Sequence, residues 1–503
     1  MKDWMTRKPA ALLLTVALLF GLSAPGHAFT WPWSQPAQET FADATPTPAA
    51  SPVSVRATDE TALLRVLLKS LESPTALGIT LTGPYSIEND SGFRFEADTD
   101  LSVAVSGEDL YLKCGGLTIN MGTSLTLTRA ASDNRYAGLM IHETGRETVY
   151  CGDLKLTNDK GVIVPVLTVD IEDYLYGVVP YEMSDSFPVE ALKAQAVAAR
   201  TYAMSRKSGA DARAYDVVDT TADQVYRGVN PSSENAIAAV NATRGVVGFY
   251  KDAYATCYFS ASNGGQTVMP DQIWGYSGDY GYLDVRDDPY DLANPSSVVK
   301  VLNIPSDGTK LSSRMAKTLK SGLAEQMAAL GCSEELSDIG IVKVLSVTPT
   351  APKFGEGNRM FTRLDVTMQV QAKKFTALTP EEAAQSSATY RSDVVVLDAP
   401  LTASLDIYGD LKPNYGLKIN AANCEVTSVR ANEDFEGNAT SFDVESRRFG
   451  HGVGLSQRGA QQMAGVEGFT WTQILAFYYP GMALVEMQYA LTPLPTLDAL
   501  PAN

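Results

Sequence analysis

The sequence predicts an α+β fold. From about Leu63 to Val169, short runs of β-forming residues alternate with Gly, Asn, Asp and Ser, which is typical of a small all-β unit. An alanine-rich helix follows, with Asp185 and Ser186 as candidate caps and Pro188 in its first turn. Helix-like and strand-like segments then succeed one another up to about residue 488. We therefore predict a β-rich N-terminal unit that leads into a mixed α/β domain.

The N-terminus has the pattern of a secretory signal. Lys2, Arg7 and Lys8 precede a short apolar run over residues 10–22, and small residues follow up to Ala28. The apolar run is too short for a comfortable membrane span. We predict a signal peptide over residues 1–28 and an exported protein, with an uncleaved signal that anchors the chain as the alternative.

Composition divides the rest of the chain into further parts. Residues 29–58 are rich in Pro, Ala and Thr, which predicts an extended linker. We assign the β-rich unit to residues 59–165, the mixed domain to residues 166–488 and a C-terminal tail to residues 489–503. Within the mixed domain, the segment from Leu311 to Leu330 is predicted to form one helix.

The charge balance argues against nucleic acid as a partner. The chain has a formal net charge of -18 and a pI near 4.7. Binding to a polyphosphate depends on clustered Lys and Arg, and the sequence contains no such cluster. Acidic balance fits a protein that stays soluble outside the cell.

Cysteine and histidine usage limits the chemistry. The cysteines stand at positions 114, 151, 257, 332 and 424. Cys114 and Cys151 each follow a strand pattern, so a disulfide between them is the first pairing to test, although the sequence does not determine connectivity. Outside the signal only His142 and His451 remain, which excludes a His-rich metal site and, without a GxSxG motif, leaves a Ser-His hydrolase unsupported.

Glu182 is the candidate catalytic residue. It lies between Tyr181 and Met183, directly after Pro180, in a turn without an adjacent basic residue. Apolar surroundings would raise the pKa of its carboxyl group and keep a proton available at neutral pH. An exposed turn glutamate is the alternative.

Further polar and aromatic residues are candidates for substrate binding. Most have a structural alternative: a solvated helix edge, a plain hairpin loop, or a hydrogen-bonded core histidine. Three project from the alanine-rich helix, three belong to the loop SASNGGQT, where glycines permit close backbone approach, one is the tryptophan of an aromatic loop, and two follow in a glycine-rich block. The candidates are Lys193, Gln195, Arg200, Ser260, Ser262, Gln266, Trp274, His451 and Gln457.

Two long segments resemble the SpoIID/LytB family. YLYGVVPYEMSDSFPVEALKAQAVAARTYA, from Tyr174 to Ala203, resembles the family signature, and FGHGVGLSQRGAQQMAGVEGFTWTQILAFYYPGMAL, from Phe449 to Leu484, resembles the segment that closes the same domain. The resemblance implies a SpoIID-like catalytic domain in which Glu182 matches the catalytic glutamate. The family pattern thins out between about residues 296 and 443, which we interpret as a divergent insertion.

The resemblance also carries expectations about metal. Some members of the family hold a zinc ion by Cys and His around a GG motif. Here that region reads CYFSASNGGQT, with Cys257 alone and no histidine nearby. We expect no bound zinc and no cofactor.

The family resemblance suggests two functions. A lytic transglycosylase needs one carboxylic acid, because the 6-hydroxyl of N-acetylmuramic acid attacks its own anomeric carbon, whereas most hydrolytic glycosidases need two. The first function is therefore an exported enzyme of the cell wall, or of the outer face of the cytoplasmic membrane, that cleaves peptidoglycan glycan strands between N-acetylmuramic acid and N-acetylglucosamine and leaves 1,6-anhydro ends. The alternative is a non-enzymatic wall-binding protein that stimulates a cell-wall amidase.

Overall fold

A computed structural model describes residues 48–87, 93–208, 213–490 and 493–496. The predicted signal peptide and most of the predicted linker lie outside the described residues. The end of the linker is described: Val53–Thr61 forms strand β1, so the linker prediction is wrong for residues 53–58. β1 is held by parallel pairing with the last strand of the chain, a contact that the composition of the segment does not reveal.

The N-terminal part consists of short strands whose buried and exposed side chains alternate, as in a sheet with one face on the core. After β1 they are β2 (Leu63–Leu67), β3 (Ala76–Leu81), β4 (Tyr85–Ile87), β5 (Arg94–Phe95), β6 (Asp100–Ser106), β7 (Asp109–Cys114), β8 (Leu117–Asn120), β9 (Ser124–Arg129), β10 (Leu139–Ile141), β11 (Gly152–Asp159) and β12 (Val162–Asp170). One sheet has the order β10-β3-β6-β7-β8 and is antiparallel. A second sheet contains β2-β12-β11-β9-β4-β5.

The helical layer follows β12 without a linker. Its elements are α1 (Ile171–Tyr176), α2 (Val179–Glu182), α3 (Val189–Ser208), β13 (Val217–Val218), α4 (Glu234–Ala242), β14 (Val246–Tyr250), β15 (Ala253–Tyr254), β16 (Phe259–Ser260), α5 (Pro270–Trp274) and α6 (Pro289–Ala293). β13 joins the second sheet by parallel pairing with β2. α3 begins directly after Pro188, as the sequence predicts, and its alanine-rich sides pack against α1, α4 and β14.

The segment predicted to be a divergent insertion has a hydrophobic core of its own. Its elements are β17 (Val299–Pro305), α7 (Ser313–Ser321), α8 (Ala324–Ala329), β18 (Ile339–Pro352), β19 (Phe361–Ala377), α9 (Pro380–Ala384), β20 (Tyr390–Val396), β21 (Leu401–Asp406), α10 (Lys412–Tyr415), β22 (Val426–Glu433) and β23 (Ala439–Arg447). The buried cluster runs from Ile304 to Val444. The single helix predicted from Leu311 to Leu330 is wrong, because the chain forms two helices, α7 and α8, with Gly322, a poor helix former, at the C-cap of α7.

The chain then returns to the first core. The last elements are β24 (Leu455–Ser456), α11 (Gln457–Gly465), α12 (Trp471–Tyr478) and β25 (Ala483–Ala490). β24 pairs with β16, α11 and α12 pack against α3, and β25 lies between β1 and β14 in a sheet of order β1-β25-β14-β15. The N-terminal strands, α3 and these last elements share one hydrophobic cluster. The molecule is an α+β protein, as predicted.

No helix in the described part of the chain combines the length and the apolar character that a membrane span requires.

Candidate functional site

Glu182 is the last residue of α2 and is partly buried. Pro180 stands in the first turn of this short helix, and Met183 ends it in an extended conformation. The Glu182 Oε1 atom accepts a hydrogen bond of 2.8 Å from the backbone N–H of Val225. The side chain of Gln457 lies close enough to this carboxyl group to stabilise its charged form. Three separate parts of the chain therefore fix the position of this carboxyl group.

Burial raises the pKa of Glu182 above its ordinary value of 4.5. The hydrogen bond from Val225, the nearby side chain of Gln457 and the positive charge of Arg227 oppose this shift, because each stabilises the carboxylate form. Because its pKa is raised, the carboxyl group keeps its proton up to a pH closer to neutrality. The surrounding donors, in turn, stabilise the same group after it has given that proton away.

Gln457 connects Glu182 to the core of the domain. It is the first residue of α11, is 7% exposed, and its Nε2 atom donates to Gln195 Oε1 over 3.5 Å. Gln195 is completely buried on α3, and its Nε2 atom has no hydrogen-bond partner among the described residues. Because Gln195 lies inside the core, it does not make the predicted direct contact with substrate. Its side chain instead accepts a hydrogen bond from Gln457.

An aromatic groove lies next to the segment that binds Glu182. Its volume is about 340 Å³. The segment 221–223 forms part of its wall and leads directly to Val225. The lining residues are Tyr202, Arg206, Thr221, Ala222, Asp223, Thr256, Tyr258, Phe259, Trp274, Tyr276 and His451. The predicted Trp274 and His451 are therefore brought together on one surface.

Trp274 is the centre of the aromatic cluster. It stacks on Tyr276 with 5.4 Å between ring centroids and lies 4.9 Å from both Tyr258 and His451. Tyr276 is 51% exposed and leaves a ring accessible to a ligand. Aromatic faces and polar groups in one groove suit a ligand that presents both apolar ring faces and hydroxyl groups.

His451 lines this groove with an uncharged imidazole ring. Its Nδ1 atom accepts a 3.0 Å hydrogen bond from the Val453 N–H, and the ring is also hydrogen-bonded to the backbone of Phe259. Burial lowers the pKa of His451 to about 4, so the ring is uncharged at neutral pH. Because these backbone groups are its hydrogen-bond partners, the ring offers a ligand an uncharged surface for contact, and it does not act as a general acid there.

Two buried aspartates accept hydrogen bonds from the GG loop, residues 260–266. Ser262 Oγ donates to Asp291 Oδ1 over 2.8 Å, and Asn263 Nδ2 donates to Asp288 Oδ2 over 2.7 Å. Gly264 and Gly265 have φ values of +70° and +97°, which favour glycine. Burial, with the negative charge of Asp291 beside it, raises the pKa of Asp288 to about 7. The loop is thus fixed by its own side chains.

These contacts correct the substrate-binding predictions for the GG loop. Ser262 is 1% exposed, and its hydroxyl is used by Asp291. Gln266 is also buried, and its amide donates to Gly357 O over 2.8 Å. Ser260 is buried as well, and its Oγ accepts from the Gly452 N–H over 3.1 Å. The side-chain polar groups of all three residues are thus used within the protein, where they organise the loop.

Arg200 is a further correction. It has no exposed surface, and it forms two hydrogen bonds, of 2.9 and 2.7 Å, with the carboxylate of Glu172. It also donates to the carbonyl oxygen of Val246. The prediction that it binds substrate is wrong because its donors are used within the core. Lys193 remains on the partly exposed side of α3, where it pairs with Glu190 at 2.7 Å.

The cysteine prediction is also corrected. Cys114 and Cys151 are both free thiols, as are the other cysteines of the described chain. Cys151 is buried and its thiol lies 3.6 Å from the carbonyl oxygen of Tyr136, while Cys114 ends β7 in a different sheet. The strand patterns that suggested the pairing belong to strands that do not pair with each other.

Among the described residues, no group of three or more His, Cys, Asp or Glu is arranged to hold a metal ion. Cys257, the lone cysteine of the GG region, is buried with its Sγ 3.4 Å from Met482 Sδ. We predict that the purified protein contains no stoichiometric zinc and that a chelator leaves its activity unchanged. Elemental analysis tests the first statement and an assay with added chelator the second. One zinc per chain would contradict the prediction.

A larger cavity, of about 510 Å³, lies beside α1 and β25. Glu182 lines neither this cavity nor the aromatic groove. The buried polar residues of the cavity already form pairs, such as Arg129 with Asp173 at 3.3 Å. Burial raises the pKa of Asp173 to about 6. We place the candidate site at Glu182 and the aromatic groove, because the signature segment and the closing segment meet there.

The fold and the site define the class of protein. The model of the SpoIID family, described as stage II sporulation protein, matches residues 159–250, which include α1, α2 and α3. Glu182 lies within the matched segment. Residues 159–250 thus match the SpoIID family, and the chain is similar to proteins of the SpoIID/LytB family.

Several relatives show this similarity. It is 31% identical to an uncharacterized protein of Brachyspira hyodysenteriae over 43% of this chain and 56% of that protein. It is 28% identical to the amidase enhancer of Bacillus subtilis over 62% of this chain and 40% of that protein. It is 24% identical to the stage II sporulation protein D of Bacillus amyloliquefaciens over 71% of this chain and 88% of that protein. The matches thus span about half the length of the first two relatives.

Sequence reasoning missed several residues of the site. Tyr258 neighbours Cys257 in the quoted loop, and its aromatic ring beside Trp274 could have been suspected from composition alone. Asp223 could not, because its contacts with Tyr202 and Arg206 depend on the fold. Neither could Arg448, which is completely buried and donates to the carbonyl oxygens of Asn263 and Gln266.

Proposed function

We propose that the protein is an exported lytic transglycosylase that cleaves peptidoglycan glycan strands between N-acetylmuramic acid and N-acetylglucosamine. The match to the family and the names of the relatives support a role related to the cell wall. The observation that carries the enzymatic proposal is the partly buried Glu182, with its raised pKa and the stabilising contacts of Val225 and Gln457, beside an aromatic groove.

Glu182 acts first as a general acid in this mechanism. It protonates the glycosidic oxygen as the bond to the anomeric carbon breaks. The Val225 N–H and Gln457 then stabilise the carboxylate that remains. As a base, the same carboxylate accepts the proton of the 6-hydroxyl of N-acetylmuramic acid, while that oxygen bonds to the anomeric carbon and closes the 1,6-anhydro ring. Glu182 thereby regains its proton, and no water is consumed.

The arrangement of carboxylates supports this reaction over hydrolysis. A hydrolase needs a second carboxylate that activates water or attacks the sugar. Asp223 lines the aromatic groove, but its oxygens accept hydrogen bonds from Tyr202 at 2.9 Å and from the Val218 N–H at 2.9 Å. The carboxylate of Asp223 therefore has a structural role as a hydrogen-bond acceptor.

The groove supplies contacts for the sugar chain. Trp274 and Tyr276 offer aromatic surface for pyranose rings, and His451 provides a neutral polar wall. Gln457 is near enough to Glu182 to orient it and is expected to act as a positioning residue.

The products test this proposal. Purified protein alone, incubated with peptide-free glycan strands, is expected to release saccharides with 1,6-anhydro ends, detected by mass spectrometry as a mass lower by one water than that of the hydrolysed product. Strands with stem peptides are tested in parallel. A hydrolase would instead leave free reducing ends. A well-folded sample that releases no anhydro product from either substrate would contradict the proposal.

The relative named amidase enhancer supports a second candidate function. In that case the protein binds the wall and accelerates a partner amidase without cleaving glycan. The same sample, mixed with a cell-wall amidase, would then increase the release of stem peptides, and Glu182→Gln would have little effect on this increase.

A further inference from the structure

A second groove lies on the other side of α5 from the aromatic groove. Its volume is about 400 Å³. Gln272 of α5 lines this second groove, and Trp274 of the same helix lines the aromatic groove. Phe259, which precedes the GG loop, lines the aromatic groove, and Gln266 at the end of the loop lines the second groove. Residues of α5 and residues at the two ends of the GG loop thus connect the two grooves.

The insertion supplies the outer wall of the second groove. The turn between β18 and β19, residues 353–360, reaches across to the GG loop. Gln266 Nε2 donates to Gly357 O over 2.8 Å, and the Arg359 N–H donates to Gln266 Oε1 over 2.8 Å. Arg359 also pairs with Asp287 at 3.1 Å. We call this second groove the hairpin groove. The contacts of the turn 353–360 with Gln266 and Asp287 fix the position of the turn relative to the GG loop.

The groups in the hairpin groove suit a saccharide. Phe354 lines the groove and is 37% exposed, with Lys353 5.2 Å from the centroid of its ring. Asn358 is 4% exposed, and its Nδ2 atom has no hydrogen-bond partner among the described residues. Glu356 is exposed and contributes a carboxylate acceptor. An aromatic face, an amide donor and a carboxylate acceptor match a pyranose ring with its acetamido and hydroxyl groups.

We propose that the hairpin groove is an additional saccharide subsite, which binds the continuation of a glycan strand held in the aromatic groove. This inference rests on the proposed function, since it takes glycan as the ligand. It assigns a role to the insertion: the turn 353–360 makes the protein prefer long strands to short ones. The subsite selects for strand length and takes no part in bond cleavage.

Equilibrium binding of peptide-free glycan tests the subsite, with a tetrasaccharide and a dodecasaccharide as probes. All proteins carry Glu182→Gln so that the strands stay intact. We expect the unmodified groove to bind the dodecasaccharide more tightly than the tetrasaccharide, and Phe354→Ala to reduce this gain roughly three- to tenfold, the range for loss of one aromatic contact. Phe435→Ala is the matched control, because Phe435 is a fully exposed phenylalanine of the same insertion outside the groove.

The outcomes separate the subsite from the proposed function. If the dodecasaccharide and tetrasaccharide bind equally, or if Phe354→Ala changes the ratio no more than Phe435→Ala does, the subsite is refuted while glycan binding stands. If neither probe binds to a protein with an unchanged unfolding midpoint, the proposed function fails as well. A gain seen only with strands that carry stem peptides would assign the groove to peptide and overturn the saccharide assignment.

Discussion

Glu182→Gln is expected to abolish glycan cleavage while the protein remains folded. The amide has nearly the shape of the carboxylic acid and can still accept the 2.8 Å hydrogen bond from the Val225 N–H, but it cannot give a proton to the glycosidic oxygen. General acid catalysis contributes roughly 10²–10⁴-fold to a rate. The rate of anhydro-product formation should therefore fall by at least that order, measured by mass spectrometry at equal protein concentration.

Glu190→Gln is the matched control. Glu190 is also partly buried, lies eight positions further along the chain, and accepts a backbone hydrogen bond of 2.8 Å from Trp471. Its removal changes the charge by the same amount but leaves Glu182 in place. We expect its cleavage rate to stay close to that of the wild type. Cleavage by Glu182→Gln at the rate of this control would show that another residue is the catalyst.

Arg200→Met is expected to destabilise the protein strongly. The substitution keeps an unbranched side chain but leaves the carboxylate of Glu172 buried, with the Gly245 N–H at 3.0 Å as its remaining donor. Removing one partner of a buried ion pair typically costs about 3–5 kcal/mol, because the other charge stays in a medium of low polarity. The free energy of unfolding in urea should fall by this order.

Two further variants test the cause of this loss. Lys193→Met removes a partly exposed ion pair on the same helix and should cost about 0–1 kcal/mol. Adding Glu172→Gln to Arg200→Met removes the unpaired charge and should recover part of the stability. If Arg200→Met costs no more than Lys193→Met, then the buried pair does not stabilise the domain and Arg200 has to be reconsidered as a ligand contact.

Local signals predicted the elements that position the site. The start of α3 follows from Pro188, and its packing follows from the alanines. The predicted caps are wrong, because Asp185 accepts a hydrogen bond from the Ala236 N–H of α4 and the Ser186 hydroxyl is bonded to that of Ser184. The motif around Glu182 lies within the same short segment as Pro188 and the alanines. Such features are set by neighbouring residues, so they can be predicted from the sequence.

Pairings between distant residues could not be predicted in this way. Glu182 receives its hydrogen bond from Val225, 43 residues away. Lys193 and Arg200 were expected to share a helix face, but periodicity does not say how deeply each position is buried, and a buried partner, Glu172, decides the role of Arg200. The turn 353–360 reaches the GG loop only because an insertion with its own core holds it there.

The pairing of β1 with β25 has a mechanical consequence. The two strands run parallel in register, from Val53 beside Leu484 to Ala57 beside Gln488, and β1 is the edge of its sheet. Tension that enters through the chain before Val53 acts along β1, parallel to the strands. The ladder is then loaded in shear, so its hydrogen bonds share the force instead of opening one after another. Force applied through that end would therefore load several hydrogen bonds between β1 and β25 at the same time.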